Sequence, residues 1–149
     1  MKNMMDNLQH KPVIVNPDLK ADPLHMQGKI GHIASVNLQR DDFFVDFDTG
    51  LTGLYSSSAL LVLRSHGQIY QQAMNRGQRL EKDEFKDLLR VSLLLQSGGH
   101  PHDAFNALKL ILFSPKLLQL ATQTLQDQLH LVPSADRKRN TDRVSGFDR

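Results

Sequence analysis

Residues 59–73 read ALLVLRSHGQIYQQA, and the hydrophobic pattern of the chain changes within this stretch. The apolar run Ala59–Leu63 is typical of a buried strand. Ser65 and Gln68 then have the S-x-x-Q spacing of a helix capping box, and the apolar residues that follow recur at helical spacing. We therefore predict an α+β protein, with strands before residue 65 and helices after it.

Four further short segments upstream of this junction have the composition of strands. They are rich in β-branched and aromatic residues, and turn residues separate them: Val13–Val15, Gly28–Asn37, Phe43–Phe47 and Leu51–Tyr55. Gly31 lies inside the second segment, where a glycine often marks a bulge or a sharp bend. Five short strands with bends at glycine favour a small, strongly curved barrel over a flat sheet.

The spacing of several residues in this region also resembles a known family. The residues are Gly28-x-x-Gly31-x-Ile33, then Val45-x-Phe47-x-x-Gly50, then Ala59–Leu63. This pattern is similar to that of the small SH3-like barrels of the KOW and Tudor type, over residues 11–64. The resemblance implies a five-stranded SH3-like barrel that binds RNA, ribosome-type surfaces or protein tails.

Downstream of the junction we predict three or four short antiparallel helices. The first follows the capping box, and the others span about 81–96, 101–113 and 115–131. Gly98-Gly99 is expected to end the second helix, and Pro101 and Pro115 are favoured first residues of the next two. Because this region, residues 65–131, buries only a thin core by itself, we expect it to pack on the barrel or on a second copy of the chain.

Composition and charge restrict the class of protein. The 149 residues include 18 Lys and Arg, 16 Asp and Glu, and no cysteine, which excludes disulfides, thiolate metal sites and cysteine nucleophiles. The net charge of +2 lies in residues 132–149, a polar segment that we expect to be a disordered tail. The longest apolar run has five residues, and residues 1–10 lack the apolar region of a secretory signal. We therefore expect a cytoplasmic protein without membrane contact.

Two short motifs have a chemical and a structural interpretation. Asp48-Thr49-Gly50 follows a hydrophobic strand, as the catalytic turn of a dimeric aspartic protease does, but it is equally the composition of a hairpin turn. His100-Pro101-His102-Asp103 has metal-ligand types, yet proline and an acid in these positions favour a helix start. We favour the structural interpretation of both, and the chain has no nucleophile elbow or phosphate-binding glycine loop. We therefore expect no enzyme, no metal and no cofactor.

Strand alternation predicts one surface of interest. If Phe43, Val45 and Phe47 point into the core, the side chains on the opposite side of the strand are Asp42, Phe44, Asp46 and Asp48. That side is acidic with one aromatic residue, and it suits a basic peptide or a partner with an apolar socket. The alternative is that the helical region of the same chain covers Phe44.

We accordingly expect a non-catalytic binding or adaptor module that acts on a protein partner, with a homodimer as one form of partnership. The alternative is a KOW-like accessory protein associated with nucleic acid. Its phosphate contacts would be Lys29, Arg40, Arg137, Lys138, Arg139 and Arg143. A dimeric aspartic protease using Asp48 is the third hypothesis.

Overall fold

A computed structural model describes residues 8–96 and 101–130 of the chain. Its strands are β1 (Pro12–Val15), β2 (Ile30–Asn37), β3 (Asp42–Asp46), β4 (Thr52–Tyr55), β5 (Leu60–Leu63) and β6 (Thr122–Thr124). They form one six-stranded sheet in the order β4-β3-β2-β1-β5-β6, and all neighbouring strands are antiparallel. The five strands predicted before residue 65 are all present.

Helices occupy most of the remaining described chain. They are α1 (His66–Arg76), α2 (Lys82–Gln96), α3 (Pro101–Ile111), α4 (Pro115–Ala121) and α5 (Leu125–Gln128), with 3-10 turns at Ser57–Ala59 and Gly77–Arg79. The predicted capping box starts α1: the Ser65 hydroxyl accepts from the Gln68 amide, and the Gln68 side chain accepts from the Ser65 amide. The α+β class is therefore confirmed. Among the described helices, none combines the length and the apolar composition that a membrane span requires.

The predicted closed barrel is wrong, and with it the resemblance to SH3-like barrels. The sheet is open, because β4 and β6 lie at its opposite edges rather than pairing with each other. The edge beside β5 is occupied by β6, which pairs Leu61, Val62 and Leu63 with residues 122–124. Closure requires a matching tilt and stagger of all strands, and five short strand segments in a sequence do not specify either quantity.

The single helix predicted over residues 115–131 is also wrong, so the described chain has five helices rather than three or four. After α4 the backbone becomes extended at Thr122, whose hydroxyl donates to the carbonyl of Leu118. Thr124 then caps α5 by accepting from the Asp127 amide, 3.1 Å away. Threonine competes with helical hydrogen bonding in this way, and its branched side chain suits a strand.

The sheet separates two hydrophobic cores, and β1 contributes to both. On one face, Val13 and Val15 pack with Phe43, with the loop between β1 and β2, and with Leu125. On the other face, Ile14 packs with the buried residues of α1, α2, α3 and α4. We call this second surface the helix face of the sheet. All four residues of β1 are buried, as expected for a strand that is covered on both sides.

Gly31 allows a close approach between β2 and β3. An added Cβ would lie 2.5 Å from Cγ1 of Val45 and 2.9 Å from the carbonyl oxygen of Asp46. The bulge expected near this glycine lies instead between Ile33 and Ser35. Gly31 is thus required for space against β3, rather than for a bend in the backbone.

A buried carboxylate holds the loop between β1 and β2 against the sheet. Asp22 is only 6% exposed; it accepts from the Tyr55 hydroxyl at 2.8 Å and from the backbone amides of Leu24 and Met26 at 3.0 Å. Burial acts to raise the pKa of Asp22, but these hydrogen bonds outweigh it and leave the pKa below its usual value. Burial, and then the neighbouring carboxylate, raises the pKa of Tyr55. We call this group the Asp22 latch.

We predict that Asp22→Asn destabilises the protein by about 1–3 kcal/mol at pH 7, because a neutral amide replaces an acceptor of three hydrogen bonds. A lowered folded-state pKa adds stability above the unfolded value of about 3.9, and this stability is lost as the pH falls below it. The difference between wild type and Asp22→Asn should therefore shrink at pH 3. Urea unfolding at both pH values measures it.

Asp18→Asn is the matched control, since Asp18 lies in the same loop and is exposed. Its effect should stay within about 0.5 kcal/mol. If Asp22→Asn and Asp18→Asn lowered the free energy of unfolding equally, the hydrogen bonds of the Asp22 latch would not be what stabilises the protein at this position.

Candidate functional site

Strand β3 shows the alternation that the sequence predicts. Phe43 and Val45 are buried in the core, whereas Phe44 is 37% exposed and Asp46 is exposed. Asp48, in the turn after β3, is also exposed, and Asp42, at the start of the strand, is half-buried. The outward side chains of this strand are therefore largely accessible.

Strand register places Phe44 on the helix face of the sheet. Ile14 lies opposite Ile30, and His32 follows on the same side of β2, because alternate residues share a face. His32 lies opposite Asp46, and Phe44 lies opposite Leu54. Since directly opposed residues share a face, this surface continues from β1 to β4.

The described helices cover only part of this face. Helix α3 reaches β2, where the ring of Phe105 stacks on His32 with centroids 5.6 Å apart and planes inclined by 20°. Beyond this contact, Phe44 on β3 and Leu54 on β4 keep 37% and 55% of their surface exposed. The alternative in which the helices bury Phe44 therefore does not describe this arrangement.

We call Phe44, Asp46, Thr52 and Leu54 the edge patch. Its two apolar residues are cross-strand partners, and the Thr52 hydroxyl donates to Oδ1 of Asp46 at 2.6 Å. The surface predicted from the sequence did not include Thr52 and Leu54. Hairpin pairing across the Asp48–Gly50 turn is the signal that would have placed Leu54 beside Phe44.

Three carboxylates accompany the patch along β3: Asp42, Asp46 and Asp48. Within the described ranges, none of them forms an ion pair, since the salt bridge found there joins Lys116 to Glu84. The surface therefore presents unneutralised negative charge around two apolar side chains.

The Asp48-Thr49-Gly50 motif forms a hairpin turn. The amide of Gly50, at a φ of +90°, donates to the carbonyl of Phe47 at 3.0 Å, and the Phe47 amide donates to the carbonyl of Leu51 at 2.9 Å. Positive φ is the conformation that glycine adopts without strain. A protease site would need a second such turn from another copy, so that hypothesis stays a prediction.

The basic residues of the nucleic-acid hypothesis are not brought together. Lys29 precedes β2 and Arg40 follows it, and a strand of eight residues separates them by about 26 Å at roughly 3.3 Å per residue. Residues 137–139 and Arg143 lie outside the described residues. Nucleic-acid binding therefore stays a prediction that this geometry neither favours nor tests.

A second surface, which is concave, was not predicted from the sequence. It is a cleft of about 590 Å³ between the start of β1, the end of β5, the first turn of α1 and the end of α5. Its polar lining includes Lys11, Arg64, His66, Gln68, Gln128 and His130. These residues come from segments far apart in sequence, and only the pairing of β1, β5 and β6 brings them together.

Metal-ligand types do not converge in the part of the chain that the structure describes: no group of three or more His, Asp or Glu residues there could hold a metal ion. His100 of the histidine-rich motif lies outside the described residues. No protein-family model, curated protein or solved structure matches the chain. Function is therefore inferred from the geometry of these surfaces.

The exposure of the edge patch gives a stability prediction. Leu54→Ser should cost about 1 kcal/mol or less and Phe44→Ser about 1–2 kcal/mol, because both side chains are already partly in water. Val45→Ala, which empties a fully buried position on the same strand, should cost about 2 kcal/mol or more. Urea unfolding of the three variants provides the comparison.

If Phe44→Ser lowered the free energy of unfolding as much as Val45→Ala does, Phe44 would belong to the core rather than to a binding surface.

Proposed function

We propose that this protein is a non-catalytic binding module whose edge patch takes an extended segment of a partner protein that carries both basic and apolar residues. The observation that carries the proposal is the pairing of Phe44 with Leu54, both exposed, on the part of the sheet that the described helices leave uncovered. Aromatic side chains at the centre of a patch are typical anchors of protein interfaces.

The apolar part of the patch supplies the anchoring contact. Phe44 and Leu54 lie directly opposite each other, so a partner side chain can contact both at once. The resulting area is small, which suits a peptide segment better than a large, permanent interface.

The charge around the patch selects the chemistry of the partner. Asp42, Asp46 and Asp48 form no ion pair within the described ranges, so lysine or arginine side chains of a partner would supply the missing opposite charge. Exposed carboxylates of this kind accelerate association and contribute to specificity more than to affinity. An acidic partner would be repelled.

The free edge of the sheet supports an extended partner. Strand β4 lies at one end of the strand order, with β3 as its neighbour, and an edge strand presents unpaired amide and carbonyl groups. A partner strand added beside β4 would place its side chains next to Thr52 and Leu54. Since β4 has four residues, the added strand is short.

A direct test uses a labelled peptide of alternating lysine and valine, and a matched peptide of alternating glutamate and valine. We expect the full-length protein to bind the lysine peptide and not the glutamate peptide, with affinity falling as salt is raised. Phe44→Ser and Leu54→Ser should each weaken binding by about tenfold, as expected for loss of an interface anchor. Fluorescence anisotropy measures all four interactions.

Tyr70→Ser is the matched control, because Tyr70 is an aromatic residue on α1 with 48% exposure and is not part of the edge patch. Equal binding of both peptides, or unchanged binding by Phe44→Ser, would disprove the proposal. Self-association that Phe44→Ser abolishes would instead assign the patch to a second copy of the chain, as the homodimer hypothesis predicts; sedimentation velocity of the two proteins distinguishes this outcome.

A further inference from the structure

The cleft lined by Lys11, Arg64, His66 and His130, here called the cationic cleft, is distinct from the edge patch. It lies at the ends of β1 and β5 and beside β6. Strand β6 forms one edge of the sheet, and β4 forms the other edge. Strands β2 and β3 separate β1 from β4 in the strand order. A ligand in the cleft therefore contacts none of the residues used in the proposed peptide interaction.

The lining of the cleft includes two cations, Lys11 and Arg64. The salt bridge found in the described ranges involves neither Lys11 nor Arg64. The Nε atom of Arg64 is buried and has no hydrogen-bond partner among the described residues, and burial lowers the pKa of Lys11. Withdrawing a cation from water without an ion-pair partner destabilises the folded protein. An anion bound between Lys11 and Arg64 would therefore reduce this penalty.

The first turn of α1 adds further donors to the same place. Ser65, His66 and Gln68 line the cleft, and the Ser65 cap uses the Gln68 amide. The preceding amides of the turn have no acceptor within the helix. The positive end of the helix dipole favours an anion here.

The remaining lining indicates a small organic molecule rather than a bare ion. A volume of about 590 Å³ lies within the usual range of small-molecule sites. Pro12, Leu63 and Leu95 provide apolar contacts, and the glutamines provide amide groups that donate and accept. One of these, Gln128, is held in place because its Nε2 donates to the carbonyl of Leu63 at 3.2 Å.

We propose that the cationic cleft binds a small organic phosphate, with the phosphate between Lys11, Arg64 and the first turn of α1, and the organic part against Leu95 and the glutamines. Lys11 and Arg64 give two positive charges and Asp127, also in the lining, gives one negative charge. The formal balance is +1 with both histidines neutral, which favours anions. A phosphate accepts several hydrogen bonds at once, so it can accept from Lys11, Arg64 and the first turn of α1 together.

The test measures binding of inorganic phosphate and of phenyl phosphate to the full-length protein by isothermal titration calorimetry. We expect saturable binding of both at one site, with phenyl phosphate the tighter because its ring enters the apolar part of the cleft. Lys11→Met and Arg64→Met should each weaken binding of both probes by tenfold or more. Lys29→Met and Arg90→Met are matched controls, since both residues are exposed and lie outside the lining, and they should bind as wild type does.

Each other outcome overturns the proposal. Undiminished binding by Lys11→Met would place the phosphate elsewhere, and this variant removes an individual charge even if Arg64→Met does not fold. Binding of benzoate as tightly as phenyl phosphate would show that the site has no preference for phosphate over carboxylate. Binding of a single-stranded oligonucleotide without any response to the two small phosphates would assign the cations to nucleic acid instead.

Phe44→Ser should bind phenyl phosphate as wild type does, because the cationic cleft and the edge patch share no residue. Failure of the peptide experiment and failure of the phosphate experiment are therefore independent of each other.

Discussion

The burial of β1 on both faces is the constraint on which the rest of the structure depends. Its four residues, Pro12–Val15, lie between β2 and β5 in the strand order and are all buried. The strand joins two cores, because Ile14 packs with the helices while Val13 and Val15 pack on the opposite side. A polar residue at any of these positions would lack a partner in one core or the other. The cationic cleft lies at the start of this strand, and the edge patch lies two and three strands away from it on the same sheet.

Local patterns in the sequence predict most of the secondary structure and half of the candidate site. The alternation along residues 43–47 places Phe44 and Asp46 on one side of β3, and the S-x-x-Q spacing at Ser65 locates the start of α1. These features depend on a few neighbouring residues, whose preferences are strong when hydrophobic period and capping agree. They were accessible without any knowledge of the tertiary structure.

Features that depend on pairing between distant segments were not accessible in this way. Strand β6 consists of Thr122, Gln123 and Thr124, too short a segment to show a period, and its strand conformation comes from pairing with β5. The open sheet and the cationic cleft both follow from that pairing, since Arg64 continues from β5 and donates its amide to the carbonyl of Ala121 at 2.8 Å. The spacing of Lys11 and Arg64 in the sequence does not indicate that both residues line one cleft.

The two surfaces give the molecule an uneven distribution of charge that its net value of +2 conceals. Carboxylates accompany β3 near one edge of the sheet, and Lys11 and Arg64, which form no salt bridge within the described residues, line the cleft towards the other edge. Opposite fields at separate places can attract ligands of opposite sign. The two proposed binding surfaces share no residue and differ in the sign of their charge.

The Asp22 latch gives the edge strand a cooperativity that a strand of four residues would not have alone. Tyr55 ends β4, and its hydroxyl is bonded to the carboxylate that also organises the loop between β1 and β2. Edge strands usually open first, as small local units. Because β4 cannot leave the sheet without breaking the Tyr55 contact, we expect opening of the strand to be coupled to opening of the loop. Amide hydrogen exchange along β4 then reports on a loop that precedes it by some thirty residues in the chain.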